Sequence, residues 1–117
     1  MMHNIYINQF DVPGVINGNQ KQVLMRAGSY HVQPYDRLRL IVPGNSVHHP
    51  IRSTRCDESH YLFIDSNKTI IIDDCVLSKA GANDFARDMG FFDYADFFYN
   101  FKLEHRLPFE GQVVKWL

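Results

Sequence analysis

The sequence predicts an α+β domain, a small β-barrel with helices packed against it. Three observations support this fold class. Apolar and polar residues alternate in short segments through the first two thirds of the chain, a pattern typical of half-buried strands. After Asp74 the apolar residues recur at helical spacing instead. The chain has 117 residues, 45% of them hydrophobic and 14% aromatic, which fits one folded unit, so we expect a single domain over residues 1–117.

The individual elements follow from this periodicity in chain order. The first strand alternates with Ile5 and Ile7 on one face, and a helical turn with Pro13 near its start ends at Gly18. A turn at 33–36 with Pro34 in second position leads into a strand. We predict strands in residues 3–8, 21–26, 37–42, within 50–56, within 59–64, in 69–72 and in 111–116.

The remaining helices and turns are predicted from glycine, aspartate and aromatic positions. One helix covers 83–89 and stops at Gly90, and Asp93 caps another whose aromatics recur through Phe101. These aromatics are typical of a helix core face. Composition also predicts a turn at 43–46 and a hairpin connection at 65–68.

Composition and charge exclude several classes of protein. With 12 Lys and Arg against 13 Asp and Glu, the net charge of -1 argues against a strongly basic protein that coats nucleic acid. No apolar stretch approaches the roughly 20 residues of a membrane span, and no signal peptide is visible, so we expect a cytoplasmic protein with no membrane partner. Cys56 and Cys75 have no partner at zinc or redox spacing, and the six histidines form no ligand pattern. We therefore expect free thiols, no metal and no cofactor.

Several segments resemble the ASCH domain superfamily, in particular small ASCH proteins of phage and prophage type. Residues 17–26, NGNQKQVLMR, resemble the family pattern of a helix ending in Gly followed by Lys, a short strand and Arg, with Lys21 and Arg26 at the family spacing. Residues 32–38, VQPYDRL, look like the family's Pro-Gly-Asp-x-Leu turn with Tyr35 in place of Gly. Two C-terminal stretches, 90–97 and 107–116, are similar to the phage-type subset.

This resemblance implies a PUA-like β-barrel with a cleft beside the first helix, suited to RNA or modified nucleosides. Some small family members hydrolyse N4-acetylcytidine with a Lys, a Thr and a Glu. Lys21 falls on the family Lys, whereas Leu24 occupies the Thr position and has no hydroxyl with which to attack an amide. The family's catalytic Glu has no clear counterpart, because residues 75–83 contain no Glu. The nearest acids are Asp73, Asp74 and Asp84, whose side chains are shorter than that of Glu.

Three functions remain open at this level. The first is an RNA- or nucleotide-binding module, with Arg on two strands, Arg37 and Arg39 on one and Arg52 and Arg55 on the next, forming a basic stripe if those strands are adjacent. The second is an amidohydrolase or ribonuclease with Lys21 as the catalytic group. The third is a phage accessory protein that binds a host protein. The candidate ligand-binding residues are Lys21, Arg26, Tyr30, Asp36, Arg52 and Arg55.

Each candidate also has a structural interpretation. Lys21 could be a solvated strand residue, Arg26 could pair with Asp36, and the Arg-rich strands could form an outer face balanced by acids such as Asp57. Tyr30, Tyr35 and Tyr61 are candidates for stacking on an unpaired base, or for edge packing.

Overall fold

The computed structural model describes residues 1–7, 11–26, 31–42, 44 and 49–116. Over these residues the protein is a small α+β structure with a mixed seven-strand sheet and three helices. The strands are β1 Met2–Tyr6, β2 Gln22–Arg26, β3 Arg37–Ile41, β4 Arg52–Ile64, β5 Ile70–Ile72, β6 Cys75–Val76 and β7 Phe109–Trp116, and the helices are α1 Val12–Asn17, α2 Lys79–Asp88 and α3 Tyr94–Glu104.

The long strand β4 organises the sheet because its two halves have different neighbours. Its first residues pair with β3, antiparallel, and β3 in turn pairs with β1 in parallel. From Cys56 onward β4 pairs with β7, which also pairs with β2. The end of β4 pairs with β5, and β5 pairs with β6. The register of β4 against β7 shifts between Cys56 and Glu58, which indicates a bulge where the two halves meet.

The predicted barrel is wrong, because the described strands do not close into one. The β1–β3 pair and the β2–β7 pair are separated by a layer of apolar side chains rather than joined by hydrogen bonds. Ile5, Leu38, Val23 and Val114 belong to this buried cluster, and Val15 of α1 joins them. Among the described strands, β1 pairs only with β3 and β2 pairs only with β7, so the two strands at the edges of the sheet do not meet. The α+β class itself is confirmed.

A second core lies between the other end of the sheet and helices α2 and α3. Phe97 is its centre, 1% exposed, with Phe85 and Phe91 packed edge to face against it at 5.4 Å between ring centroids. Phe101 packs edge to face on Phe109 of β7. The prediction that the helical aromatics form core is therefore confirmed.

The helix ends match the predicted signals with one difference. Gly18 ends α1 with φ 80°, and the Asp93 carboxylate caps α3 by accepting from the Asp96 N–H at 2.9 Å. Helix α2 begins at Lys79, four residues before the predicted start, because Ser78 caps it by accepting from the Gly81 N–H at 3.1 Å. A serine five residues upstream of the predicted helix start is a capping signal that the periodicity alone does not include.

Two strand predictions are corrected and one turn stays outside the description. The strands predicted within 50–56 and within 59–64 are one strand, β4, that continues through the bulge. The two-residue strand β6 was not predicted. The turn predicted at 43–46 lies outside the described residues except for Gly44.

The Gln112 side chain of β7 fastens the segment before β3 to the sheet. Its amide oxygen accepts from the Val32 N–H at 3.0 Å, and its amide nitrogen donates to the Val32 carbonyl at 3.1 Å and to Ser59 Oγ at 2.7 Å. This buried side chain therefore replaces a strand partner for Val32.

None of the three helices in the described part of the chain has the length and apolar character of a membrane span.

Candidate functional site

Three arginines lie on one exposed face of the β1–β3–β4 part of the sheet. Arg37 of β3 is in register with Arg55 of β4, and Arg39 is in register with Ser53, so these side chains point to the same side. Leu38 and Leu40 alternate with them and are buried on the other side. We call Arg37, Arg39 and Arg55 the Arg face. The two Arg-bearing strands are thus adjacent, which is the condition on which the sequence analysis made a basic stripe depend.

The three arginines of the Arg face have no carboxylate partner in an ion pair. Every Asp and Glu of the chain lies among the described residues, and none of them forms an ion pair with Arg37, Arg39 or Arg55. Like charges placed directly opposite each other across two strands destabilise a sheet. The Arg37 and Arg55 pair therefore costs stability, and an anion bound between the two guanidinium groups would remove that cost.

Two exposed tyrosines border the Arg face. Tyr6 is in register with Ile41 of β3, on the same side as the arginines, and is 57% exposed. Tyr35 stands in the turn that leads into β3 and is 81% exposed. Its carbonyl accepts a hydrogen bond from Arg55 Nη1 at 3.2 Å. Aromatic rings beside cations are the usual components of a surface that stacks unpaired bases.

The turn that presents Tyr35 is held by β4. Asp36 N–H donates to the Gln33 carbonyl at 3.1 Å, Tyr35 N–H donates to the Cys56 carbonyl at 2.8 Å, and Cys56 N–H donates to the Asp36 carbonyl at 2.8 Å. Tyr35 has a φ of 74°, in the left-handed region that favours glycine. A bulky residue held there by its surroundings stores backbone strain, which is common at functional sites.

Asp36 ties the N-terminal strand to this turn. Its carboxylate accepts from the Gln33 N–H at 3.0 Å, lies 2.8 Å from His3 Nε2 and 3.4 Å from the Met1 amino group. The Gln33 and His3 hydrogen bonds lower the pKa of Asp36 from 3.8 to about 2. In the structure, Asp36 therefore holds β1 and the turn at 33–36 together.

The other predicted site residues do not converge on the Arg face. Arg52 is in register with the buried Leu40, on the opposite side of β4 from Arg55, and is half-buried. Lys21 lines a separate polar pocket beside Trp116. Arg26 is in β2, in register with Gly111, but its side chain lies outside the described part, as does the whole of Tyr30.

Leu24 lines a different cavity from Lys21. This cavity has a volume of about 290 Å³ and lies between β2 and α3, with Phe97 and Phe101 in its apolar wall. Its polar residues are Asp11, Asn100, Glu104 and His105. Burial raises the pKa of Asp11, a hydrogen bond from Gln20 opposes this, and the charge of Glu104 adds to the increase. An apolar cavity with a perturbed carboxyl is a candidate for acid–base chemistry or small-molecule binding.

The buried thiol of Cys56 is not placed for nucleophilic chemistry. Cys56 is buried, its thiol donates to the Glu58 carbonyl at 3.3 Å, and burial raises the pKa of the thiol to about 11. At neutral pH this thiol is protonated and poorly nucleophilic. Over the described residues, no three His, Cys, Asp or Glu side chains come together in a group that could hold a metal ion.

Sequence reasoning overlooked Tyr6. The predicted alternation of the first strand puts Ile5 and Ile7 on the buried side, which leaves Tyr6 on the other, so the signal was present.

Comparison with known proteins adds no further assignment. No protein-family model, curated protein or solved structure matches the chain.

Proposed function

We propose that this protein is a single-stranded RNA-binding module whose contact surface is the Arg face. The observation that supports the proposal most is the cross-strand pair of Arg37 and Arg55, two like charges in register with no carboxylate partner. Arg39 extends the same row of cations. A phosphodiester chain along this row would accept bidentate hydrogen bonds from the guanidinium groups and relieve their repulsion.

Tyr6 and Tyr35 support single-stranded rather than duplex RNA as the ligand. Both rings are exposed beside the Arg face, and unpaired bases stack on such rings whereas paired bases cannot reach them. The surface is a sheet face rather than the cleft beside the first helix that the ASCH resemblance implies.

Membership of the ASCH superfamily is part of the same proposal. Its support is the order of the matching segments and the conformation of Tyr35. Tyr35 occupies the glycine position of the Pro-Gly-Asp-x-Leu pattern and adopts the positive φ for which that pattern uses glycine. In this proposal, Tyr35 replaces glycine because its ring contacts RNA.

A salt titration tests the RNA-binding proposal. Binding of a fluorescein-labelled oligouridine is measured by fluorescence anisotropy at increasing salt. Each phosphate neutralised contributes roughly -0.7 to the slope of log K against log salt for single strands. If each of the three arginines contacts a phosphate, we expect a slope of about -2, and Arg37→Ala or Arg55→Ala should each reduce its magnitude by about 0.7.

Lys79→Ala is the matched control for these variants. Lys79 is exposed at the start of α2, away from the Arg face, and its replacement removes the same charge. It should leave the slope unchanged. If Lys79→Ala and Arg37→Ala weaken binding equally, or if neither changes it, the Arg face is not the RNA-binding surface. Equal binding of an oligothymidine of the same length would make the ligand single-stranded nucleic acid in general.

The amidohydrolase alternative is favoured by one feature and opposed by another. The raised pKa of Asp11 in the cavity lined by Leu24 offers a general acid or base. Lys21, the catalytic candidate, lines another pocket. Incubation with N4-acetylcytidine, followed by mass spectrometry, tests this activity. Turnover that Asp11→Asn abolishes and Lys21→Ala preserves would establish a hydrolase with different residues, and no turnover by the wild type would end this alternative.

The outer face of α3 favours a protein partner as a further candidate. Tyr99 and Leu103 lie four residues apart on α3, opposite the buried aromatic face, and are 62% and 69% exposed, while Phe92, just before the helix, is 82% exposed. An exposed apolar stripe of this kind is typical of docking surfaces. The test is a pull-down from bacterial lysate with the wild type and with Leu103→Glu. Recovery of one defined protein by the wild type but not by Leu103→Glu would support the accessory-protein function. Equal recovery by both would remove the reason for proposing it.

A further inference from the structure

The cavity of about 290 Å³ between β2 and α3 is a site separate from the Arg face. Its walls come from the residue before α1, from β2, from the segment after α2, and from α3 with the residue that follows it. We call it the α3 cavity. None of the three arginines of the Arg face lines it. A cavity of this size is at the lower end of the range that encloses small organic ligands.

The deep part of the α3 cavity is apolar. Phe97, Met89 and Phe101 are 1%, 3% and 6% exposed and line it. Leu24 and Phe91 also line it and pack against the same buried cluster. Apolar walls of this kind favour the hydrocarbon part of a ligand, because its burial there removes apolar surface from water.

The polar groups of the α3 cavity are mostly hydrogen-bond acceptors. Asp11 and Glu104 each bring a carboxylate to it, from the start of α1 and the end of α3. Asn100 Nδ2 donates to the Asp96 carbonyl at 2.8 Å, which leaves Asn100 Oδ1 as an acceptor. His105 Nε2 is 4.0 Å from Glu104 Oε2. Among the described residues that line the cavity there is no Lys or Arg.

The charges of the two carboxylates oppose each other. Asp11 is half-buried, and its burial raises its pKa. A hydrogen bond from Gln20 lowers that pKa, and the charge of Glu104 raises it. A positive charge within about 4–6 Å of a carboxylate favours its ionised form. A ligand cation between Asp11 and Glu104 would therefore offset both the burial of Asp11 and the repulsion between the two acids.

We propose that the α3 cavity binds a small organic amine, an ammonium group carried by an aromatic or aliphatic body about as large as a phenylethyl group. The body packs against Phe97 and Phe101. The ammonium group donates to the carboxylates of Asp11 and Glu104 and to Asn100 Oδ1, so its three N–H donors match three acceptors. A carboxylic acid of the same shape would face two carboxylates, and an alcohol would leave their repulsion in place.

Isothermal titration calorimetry of the full chain with phenethylamine tests the proposal. Three analogues each change one feature of this ligand. Methylammonium keeps the charge and lacks the body, 2-phenylethanol keeps the body and lacks the charge, and 3-phenylpropionate reverses the charge. Hexylamine replaces the aromatic body with an aliphatic one.

We expect saturable binding of phenethylamine, with shifts of the Leu24 and Asn100 backbone amides in ¹⁵N–¹H spectra that locate it in the α3 cavity. 2-Phenylethanol should bind about tenfold more weakly, the loss expected for one charge-assisted contact. Methylammonium should bind at least about a hundredfold more weakly, because it buries almost no hydrocarbon. 3-Phenylpropionate should show no binding, since both carboxylates repel it.

Two isosteric variants remove the carboxylates one at a time. Asp11→Asn and Glu104→Gln should each weaken phenethylamine binding about tenfold and leave the binding of 2-phenylethanol unchanged. Glu110→Gln is the matched control, because Glu110 is an exposed residue of β7 that does not line the cavity. It should bind both ligands as the wild type does.

Three outcomes would overturn the proposal. The first is the absence of saturable binding with both phenethylamine and hexylamine. The second is binding of 2-phenylethanol as tight as that of phenethylamine, which would mean that the cavity recognises apolar shape alone. The third is equal weakening by Glu104→Gln and Glu110→Gln. Since Arg37→Ala leaves the cavity intact and amine binding requires no turnover, its failure is measured separately from failure of RNA binding or of hydrolysis.

Discussion

Replacing Tyr35 with glycine should stabilise the fold while it weakens RNA binding. Tyr35 has a φ of 74°, and the left-handed conformation costs a residue with a side chain about 1–2 kcal/mol. Glycine removes this cost but loses about 0.5–1 kcal/mol through its larger backbone freedom in the unfolded chain. We expect a net gain of about 0.5–1 kcal/mol. For a domain of this length that raises Tm by roughly 2–4 °C, measured by circular dichroism.

The same substitution removes the ring that we place against an RNA base. Stacking of one base on an aromatic side chain is worth about 1–3 kcal/mol, so the affinity for oligouridine should fall by a factor of about 5–150. Tyr35→Ala separates the two effects, because alanine loses the ring and keeps the strained backbone. It should bind as weakly as Tyr35→Gly without the gain in Tm.

Lys68→Gly is the control for this pair of variants. Lys68 also has a positive φ, 68°, in the hairpin between β4 and β5, and its replacement removes a positive charge far from the turn at 33–36 in the chain. It should not change RNA binding. The reasoning is refuted if Tyr35→Gly binds oligouridine as the wild type does, or if Lys68→Gly weakens binding to the same extent. A fall in Tm on Tyr35→Gly would show that the ring stabilises the turn.

Three further substitutions test the fold. The lowered pKa of Asp36 means that its stabilising effect is complete above pH 3.8 and is lost as the pH falls to about 2, so the Tm difference between the wild type and Asp36→Asn should be clear at pH 7 and vanish near pH 2 in thermal melts. Gly111→Ala would drive a methyl group into the Met25 carbonyl across the β2–β7 pair, and denaturant unfolding should show a loss of about 1–3 kcal/mol or more. Phe97→Ala, at the centre of the core under α2 and α3, should cost about 3–5 kcal/mol in the same assay, and a loss below 1 kcal/mol would contradict the packing described.

The sequence specified local structure more fully than it specified the sheet. Caps such as Gly18 and Asp93 act within a few residues, so the helices they bound could be predicted. The closure of the sheet depends on how β1–β3 and β2–β7 pack across a shared apolar layer, which no local pattern encodes. The bulge at Cys56 likewise made one strand look like two, because it interrupts the alternation without ending the strand.

The candidate sites show the same division. Arg37 and Arg55 could be assigned to strands, but their direct juxtaposition depends on a register set by the whole sheet. The ASCH resemblance implies one active site that contains the positions of Lys21 and Leu24, three residues apart, yet these two residues line different cavities. The polar pocket that Lys21 lines could not be predicted, since its walls come from five separate segments of the chain.

The place of β7 in the sheet determines when the protein can fold during its synthesis. Strand β2 pairs with β7 and with no other described strand. Gln22 therefore has no strand partner until Lys115 has been synthesised, and Val32 has no partner until the amide of Gln112 is present. Contacts of such long sequence separation form slowly, because the loop between them must close first. While the chain is still being synthesised, the apolar residues of β2 therefore emerge from the ribosome before β7 can cover them. For this protein, the interval before β7 emerges is the period of greatest exposure to aggregation and to chaperones.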